Sequence, residues 1–107
     1  MQFDKDLSSP HKALFLEARA FILTFEGVEE FQKERITTYF NDKGGLCHLR
    51  TMPHGIDIGF LKGAKMEDKF KLLTGKGKAI RVLAQITLDK EVVHYYIEQG
   101  IVINAKK

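Results

Sequence analysis

The 107-residue sequence has no tryptophan, a single cysteine, two prolines and no long apolar run. Because Cys47 is the only cysteine, no intrachain disulfide can form, which fits a reducing compartment. Uncharged apolar-rich runs are short, AFILTF having six residues, and the charged N-terminus MQFDKDLSSP has no apolar core of signal-peptide length. We therefore expect a cytoplasmic protein with no membrane partner.

Complete catalytic and metal-binding motifs are also missing. No HxxxH, HExxH or CxxC spacing occurs in the chain. Cys47 and His48 are adjacent, but neighbouring strand residues project to opposite faces, so His48 should not activate the thiol. A buried structural cysteine is the favoured interpretation. We expect no catalytic residues and favour a protein that is not an enzyme, although the sequence leaves that question open.

The composition is that of an ordinary globular protein, with 44% hydrophobic and 29% charged residues, and its length fits one domain over residues 1–107. Charge is distributed unevenly along the chain. Residues 1–34 carry a net charge of −3, whereas residues 62–81 contain seven basic residues and two acidic ones. The sequence thus has an acidic beginning and a basic middle.

Two strongly periodic segments predict helices. Ser9 and Pro10 suit an N-cap and a first helical position, so a helix should begin near residue 10 and end at Gly27. Its apolar stripe consists of Leu14, Ala18, Phe21 and Phe25. Thr87 or Asp89 can cap a final helix, whose stripe consists of Val92, Val93, Tyr96, Ile97 and Ile101. Residues 67–73 could form about two further helical turns.

Alternating residues over 36–40, 46–52 and 56–61, separated by turn residues, predict three strands in meander order. A fourth strand should follow over residues 80–87. One of its faces would carry Ile80, Val82, Ala84 and Ile86. The element order predicts an α+β two-layer sandwich, in which two main helices cover one face of a four-stranded antiparallel sheet.

The leading candidate site is the basic middle of the chain. Two glycines in TGKGK allow consecutive N–H groups to converge on an anion, and the neighbouring lysines and arginine supply positive charge. The segment fails the P-loop and GxGxxG patterns, because no Ser or Thr follows the lysine and position 80 is isoleucine. We expect a small anionic or phosphate-bearing ligand, without a cofactor, if the loops that leave the third strand and enter the fourth meet. The predicted ligand-binding residues are Lys62, Gly63, Lys65, Gly75, Lys76, Gly77, Lys78 and Arg81.

Four alternatives remain open at this stage. The loop could be a glycine turn with solvated lysines. Nucleic acid is a weaker possibility, since aromatic residues are sparse here, with only Phe70 among the cations, although Tyr39 and Phe60 could lie nearby on the sheet. His48, His54 and Asp57 make a histidine metal site conceivable. Clustered acids could instead bind iron, and this metal site would use Glu17, Glu26, Glu29, Glu30 and Glu34.

The motifs GFLKGA and LLTGKGKAIR, together with LCHL upstream of them, resemble the signature of the YdhG-like family of small bacterial domains. The resemblance covers roughly residues 36–104. It implies a small α+β domain related in shape to frataxin and, for some members, an iron-chaperone role. The matching positions are Gly59, Gly63, Gly75, Lys76, Gly77 and Arg81. The family usually has a tryptophan and a proline before the tyrosine of its first strand, where this chain has RITTY.

Overall fold

The computed structural model describes residues 1–106, and these residues form helices on one side of an antiparallel sheet. The α-helices are α1 (Gln2–Leu7), α2 (Lys12–Ile22) and α3 (Lys90–Ala105). The strands are β1 (Glu29–Gln32), β2 (Thr37–Asn41), β3 (Gly44–Met52), β4 (Gly55–Phe60), β5 (Leu73–Thr74) and β6 (Arg81–Gln85). A 3-10 turn, Gly63–Lys65, follows β4. No helix within residues 1–106 has both the length and the apolar character needed to cross a membrane.

The sheet has six strands in the order β1-β2-β3-β4-β6-β5, and every neighbouring pair is antiparallel. This architecture confirms the predicted α+β class and the meander of three strands. The predicted number of four strands is wrong, because two short edge strands were missed. β1 pairs with β2 at one edge of the sheet, and β5 adds two residues at the opposite edge.

The N-terminal helix prediction is correct in place but too long. α2 begins at Lys12 and ends at Ile22, while Ser9 and Pro10 lie in the turn before it. The separate helix α1 was not predicted. Its Asp6 is fully buried and accepts hydrogen bonds from the backbone amide and hydroxyl of Thr51, at 3.0 and 2.7 Å. α1 is therefore held by β3, a contact that local sequence does not reveal.

The helix predicted over residues 67–73 is also wrong. The carboxylate of Asp68 accepts hydrogen bonds from the backbone amides of Leu72 and Leu73 at 3.1 and 3.2 Å, and from the Tyr96 hydroxyl. Burial favours a higher pKa for Asp68, but these donors and Lys71 outweigh it and hold the pKa below its ordinary value. The acid thus folds the segment into a turn that leads to β5.

Helix α3 confirms the predicted cap and stripe. The Asp89 carboxylate accepts a hydrogen bond from the Val92 amide, and the apolar stripe packs into the core. Gly100 lies against the sheet side of the helix, where an added Cβ would come within 3.4 Å of Leu46 and Met66. The small residue therefore permits close packing of α3 against Leu46 and Met66.

The two faces of the sheet differ sharply. The inner face, which the helices cover, includes the buried row Leu49, Ile58 and Leu83 on β3, β4 and β6. The opposite face, here called the open face, carries the alternate residues of the same strands and includes His48, Gly59 and Val82. Val82 on β6 and Ile80 just before it, both from the predicted apolar face of this strand, lie on the open face. Ile80 and Ile86, which flank β6, are 42% and 76% exposed.

Candidate anion-binding site

The two predicted basic segments lie in direct contact. The amide of Ala64, in the 3-10 turn, donates a hydrogen bond of 2.8 Å to the carbonyl of Ala79. At Gly63, an added Cβ would lie 2.5 Å from the Cβ of Arg81 and 2.7 Å from its backbone nitrogen. Only glycine permits this approach, because these neighbours belong to a strand and cannot move away. The turn that leaves β4 and the loop that enters β6 therefore share one rim of the sheet.

The loop of residues 75–80, here called the lysine loop, leaves its backbone donors unused. Gly75 has a φ of +122°, a conformation that residues with a side chain rarely adopt. Within residues 1–106, the amides of residues 75–79 donate no hydrogen bond, and the loop is exposed. Unpaired amides in a glycine-containing loop are the groups from which anion-binding sites are built.

Arg81 binds the carbonyl side of the same loop. Its Nη1 donates hydrogen bonds to the carbonyls of Gly77 and Ile80, the second at 3.0 Å. The arginine was predicted as a ligand residue, and its contacts indicate that it also holds the loop in shape. Because the carbonyls face a cation of the protein, the amides are the backbone groups left for a ligand.

The predicted lysines divide into two groups. Lys65, Lys76 and Lys78 are exposed, and their ammonium groups form no ion pair or hydrogen bond with the residues that the structure describes. Lys62 differs, since its Nζ donates a 2.6 Å hydrogen bond to Oδ1 of Asn104 in α3. The Asn104 side chain in turn donates to the carbonyl of Gly45, so Lys62 contributes to the packing of α3. Three lysines are thus available to an anion.

The acidic alternative is arranged differently. Glu30 accepts hydrogen bonds from Arg19 Nε at 2.6 Å and Nη2 at 2.9 Å, from the Tyr39 hydroxyl at 2.8 Å and from Gln32 at 3.0 Å. Burial favours a higher pKa for Glu30, but these donors outweigh it and hold the pKa below its ordinary value. The same carboxylate raises the pKa of Arg19.

The other acids of that alternative are spread over three segments. Glu17 lies on α2, Glu29 on β1, and Glu26 and Glu34 in the flanking loops, and all four are exposed. Within the described residues, 1–106, no group of three or more His, Cys, Asp or Glu side chains is close enough to hold a metal ion. The fold therefore does not collect these carboxylates into one site.

The structure places Cys47 as predicted. Its side chain is fully buried on the inner face, and burial raises the pKa of the thiol to about 12. His48 lies on the open face, so the two side chains are separated by the sheet. The thiol is therefore protonated at neutral pH and inaccessible to a substrate.

Tyr39 and Phe60 are not part of any exposed platform. Their side chains are 0% and 1% exposed and belong to the core beneath the helices. Stacking of successive bases needs exposed rings, so the suggested role of these two residues next to a nucleic acid is wrong.

Two surface grooves were not predicted. A groove of about 600 Å³ runs along α3 and the segment that precedes β5, and it mixes acidic, basic and aromatic side chains, including Lys69, Tyr95 and Glu98. A smaller groove of about 290 Å³ lies on the open face. Its lining residues are Ile36, His48, Arg50, Asp57, Gly59, Ile80 and Val82. The alternation of residues 80–86 was a signal for the second groove, but the pattern does not show which face the helices cover.

In comparisons with known proteins, no family model, no curated protein and no solved structure matches this chain. The geometry alone defines the class, an α+β domain with an exposed basic rim at one end of a half-covered sheet. The resemblance to the YdhG-like family stays a prediction.

Proposed function

We propose that this protein is a small binding or accessory domain that holds a phosphate-bearing anion on the lysine loop. One observation carries the proposal: the amides of residues 75–79 have no partner within residues 1–106, while Arg81 binds the carbonyls of Gly77 and Ile80. A phosphate oxygen accepts hydrogen bonds from such amides and forms charge-assisted ones with ammonium groups.

Lys65, Lys76 and Lys78 supply the charge around these amides. Each is exposed, so each contact with an anion should contribute only about 0.2–1 kcal/mol in water. Binding of inorganic phosphate should therefore be weak, in the millimolar range, and should weaken further as salt is added. A larger phosphate ester would gain affinity from contacts outside the loop.

The proposal does not extend to iron. The acids of that alternative comprise Glu30, which is already bound to Arg19, and four exposed residues on separate segments. Neither set supports a closed site of the kind that hard cations require.

Titration of the ¹⁵N-labelled protein with inorganic phosphate at low salt tests the proposal. We expect the largest amide chemical-shift changes at residues 75–79. A titration with sodium chloride to the same ionic strength serves as the reference. The double variant Lys76→Gln/Lys78→Gln should bind phosphate about tenfold more weakly, since it removes two exposed charge contacts.

The control is Lys12→Gln/Lys43→Gln, which lowers the net charge equally at two exposed lysines on α2 and the β2–β3 turn. It should bind phosphate as the unmodified protein does. Shifts confined to other residues, or an equal loss of affinity in the control variant, would contradict the proposal.

A further inference from the structure

The groove on the open face begins where the lysine loop ends. Ile80 is the last residue of the loop and one of the side chains that line the groove. The Cα atoms of Lys78 and Ile80 can be at most about 7 Å apart, so the backbone at Lys78 lies close to the groove. The lysine loop and the groove are therefore neighbours and share Ile80.

Gly59 forms the floor of the groove. An added Cβ at this position would lie 3.7 Å from Cγ2 of Ile80 and 3.9 Å from Cβ of His48. His48 and Ile80 therefore stand on either side of a residue that has no side chain. The resulting slot suits a flat ring, which can contact both walls.

The polar side chains of the groove include one unused donor and one unused acceptor. Arg50 and Asp57 are opposite residues on β3 and β4, but they form no ion pair. Asp57 Oδ1 lies 2.9 Å from Nε2 of His54, and its Oδ2 forms no hydrogen bond within residues 1–106. A ring with donor and acceptor groups along one edge would satisfy both residues.

His48 is suited to contact such a ring in its neutral form. Burial, together with the charges of Lys33 and Arg50, lowers the pKa of His48 below its ordinary value. The imidazole is therefore uncharged at neutral pH, and the facing charged groups of the groove are Arg50 and Asp57.

We propose that the site takes a nucleoside monophosphate, with the phosphate on the lysine loop and the base over Gly59 between His48 and Ile80. This inference rests on the proposed function, because it needs the phosphate to bind at the loop. A nucleotide base combines a flat ring with donor and acceptor groups on its edge. The groove volume of about 290 Å³ suits one nucleotide and not an oligomer, and the rings of Tyr39 and Phe60 are buried on the other face.

Calorimetry and amide shifts with six ligands test the inference. They are inorganic phosphate, ribose 5-phosphate, and the 5′-monophosphates of adenosine, guanosine, cytidine and uridine. At least one nucleotide should bind tenfold or more tightly than ribose 5-phosphate and should shift His48, Gly59 and Ile80. If no nucleotide binds more tightly than ribose 5-phosphate while phosphate still shifts residues 75–79, this inference fails and the proposed function stands. If no ligand shifts those amides, both fail.

The variant Gly59→Val tests whether the base binds over Gly59. Valine fits the strand, meets only ordinary contacts at its Cβ and fills the slot, so the preference for the nucleotide should fall about tenfold while phosphate binding stays unchanged. The control Ala84→Val also adds a branched side chain to the open face, at a residue that does not line the groove, and should keep the preference. Ile80→Ala, which removes a wall without adding bulk, should weaken nucleotide binding several-fold. Equal preference in Gly59→Val and the unmodified protein, or an equal loss in Ala84→Val, would overturn the inference.

Discussion

Glu30, in the acidic beginning of the chain, and the lysine loop, in its basic middle, use their charges in opposite ways. Glu30 binds Arg19, Tyr39 and Gln32, and its side chain is only 10% exposed, so its charge is satisfied within the fold. On the lysine loop, Lys76, Lys78 and a run of backbone amides have no partner among residues 1–106, and neither has Lys65 in the adjacent 3-10 turn. The difference shows that charged residues in a sequence do not by themselves indicate a binding site, because the fold can satisfy their charge internally, as it does for Glu30.

The largest expected effect on stability comes from removing the charge of Glu30. Glu30→Gln keeps the shape of the side chain but removes the charge that Arg19 and Tyr39 bind. We expect the free energy of unfolding to fall by about 2 kcal/mol, the cost of losing hydrogen bonds to a charged group. Urea unfolding measures it, with an unchanged m-value as the sign of two-state behaviour.

The neighbouring acid provides a matched control. Glu29→Gln changes the same residue type one position earlier on β1, where the side chain is exposed. Its effect on stability should stay within about 0.5 kcal/mol. A similar loss in both variants would contradict the claim that the contacts of Glu30, and not acidity in general, stabilise this region.

The pH dependence of stability gives a smaller effect of the same origin. The pKa of Glu30 is lower in the folded protein than its ordinary value of 4.5, so the unfolded chain binds the proton more readily. Its contribution should be fully present above pH 4.5 and should disappear as the pH falls through the lowered pKa. The stability difference between the unmodified protein and Glu30→Gln should therefore shrink below pH 4.5, whereas Glu29→Gln should follow the unmodified protein. A difference that stays constant from pH 7 to pH 3 would contradict the lowered pKa.

The smallest effect on stability is expected when lysines of the lysine loop are replaced. Lys76→Gln/Lys78→Gln weakens phosphate binding but should change the free energy of unfolding by less than about 0.5 kcal/mol, because neither lysine has a partner to lose. Thermal unfolding without phosphate checks it. A clear loss of stability would mean that these lysines support the fold and would weaken the comparison.

Elements with long periodic patterns were predictable from the sequence, and elements that depend on distant partners were not. Helix α3 and the β2-β3-β4 meander have repeating apolar positions that identify them. β5 has two residues, too few to show a period, and is a strand only because it pairs with β6. α1 has six residues and depends on the contact between Asp6 and Thr51, which lie 45 positions apart.

The candidate site was partly predictable for the same reason. The glycines and lysines of residues 62–81 are visible in the sequence, but the contact of Gly63 with Arg81 depends on how β4 and β6 pair. The hydrogen bond from Lys62 to Asn104, 42 residues away, cannot be inferred from the local sequence pattern. The slot over Gly59 escaped prediction because the alternation of β6 does not reveal which side the helices cover.

Hydrogen exchange at the lysine loop tests the central claim most directly. In the free protein the amides of residues 75–79 should exchange rapidly, since they are exposed and have no acceptor within residues 1–106. Saturating phosphate should slow their exchange several-fold and leave the amides of α3 unchanged. Slow exchange before any phosphate is added, or no change at saturation, would contradict the account.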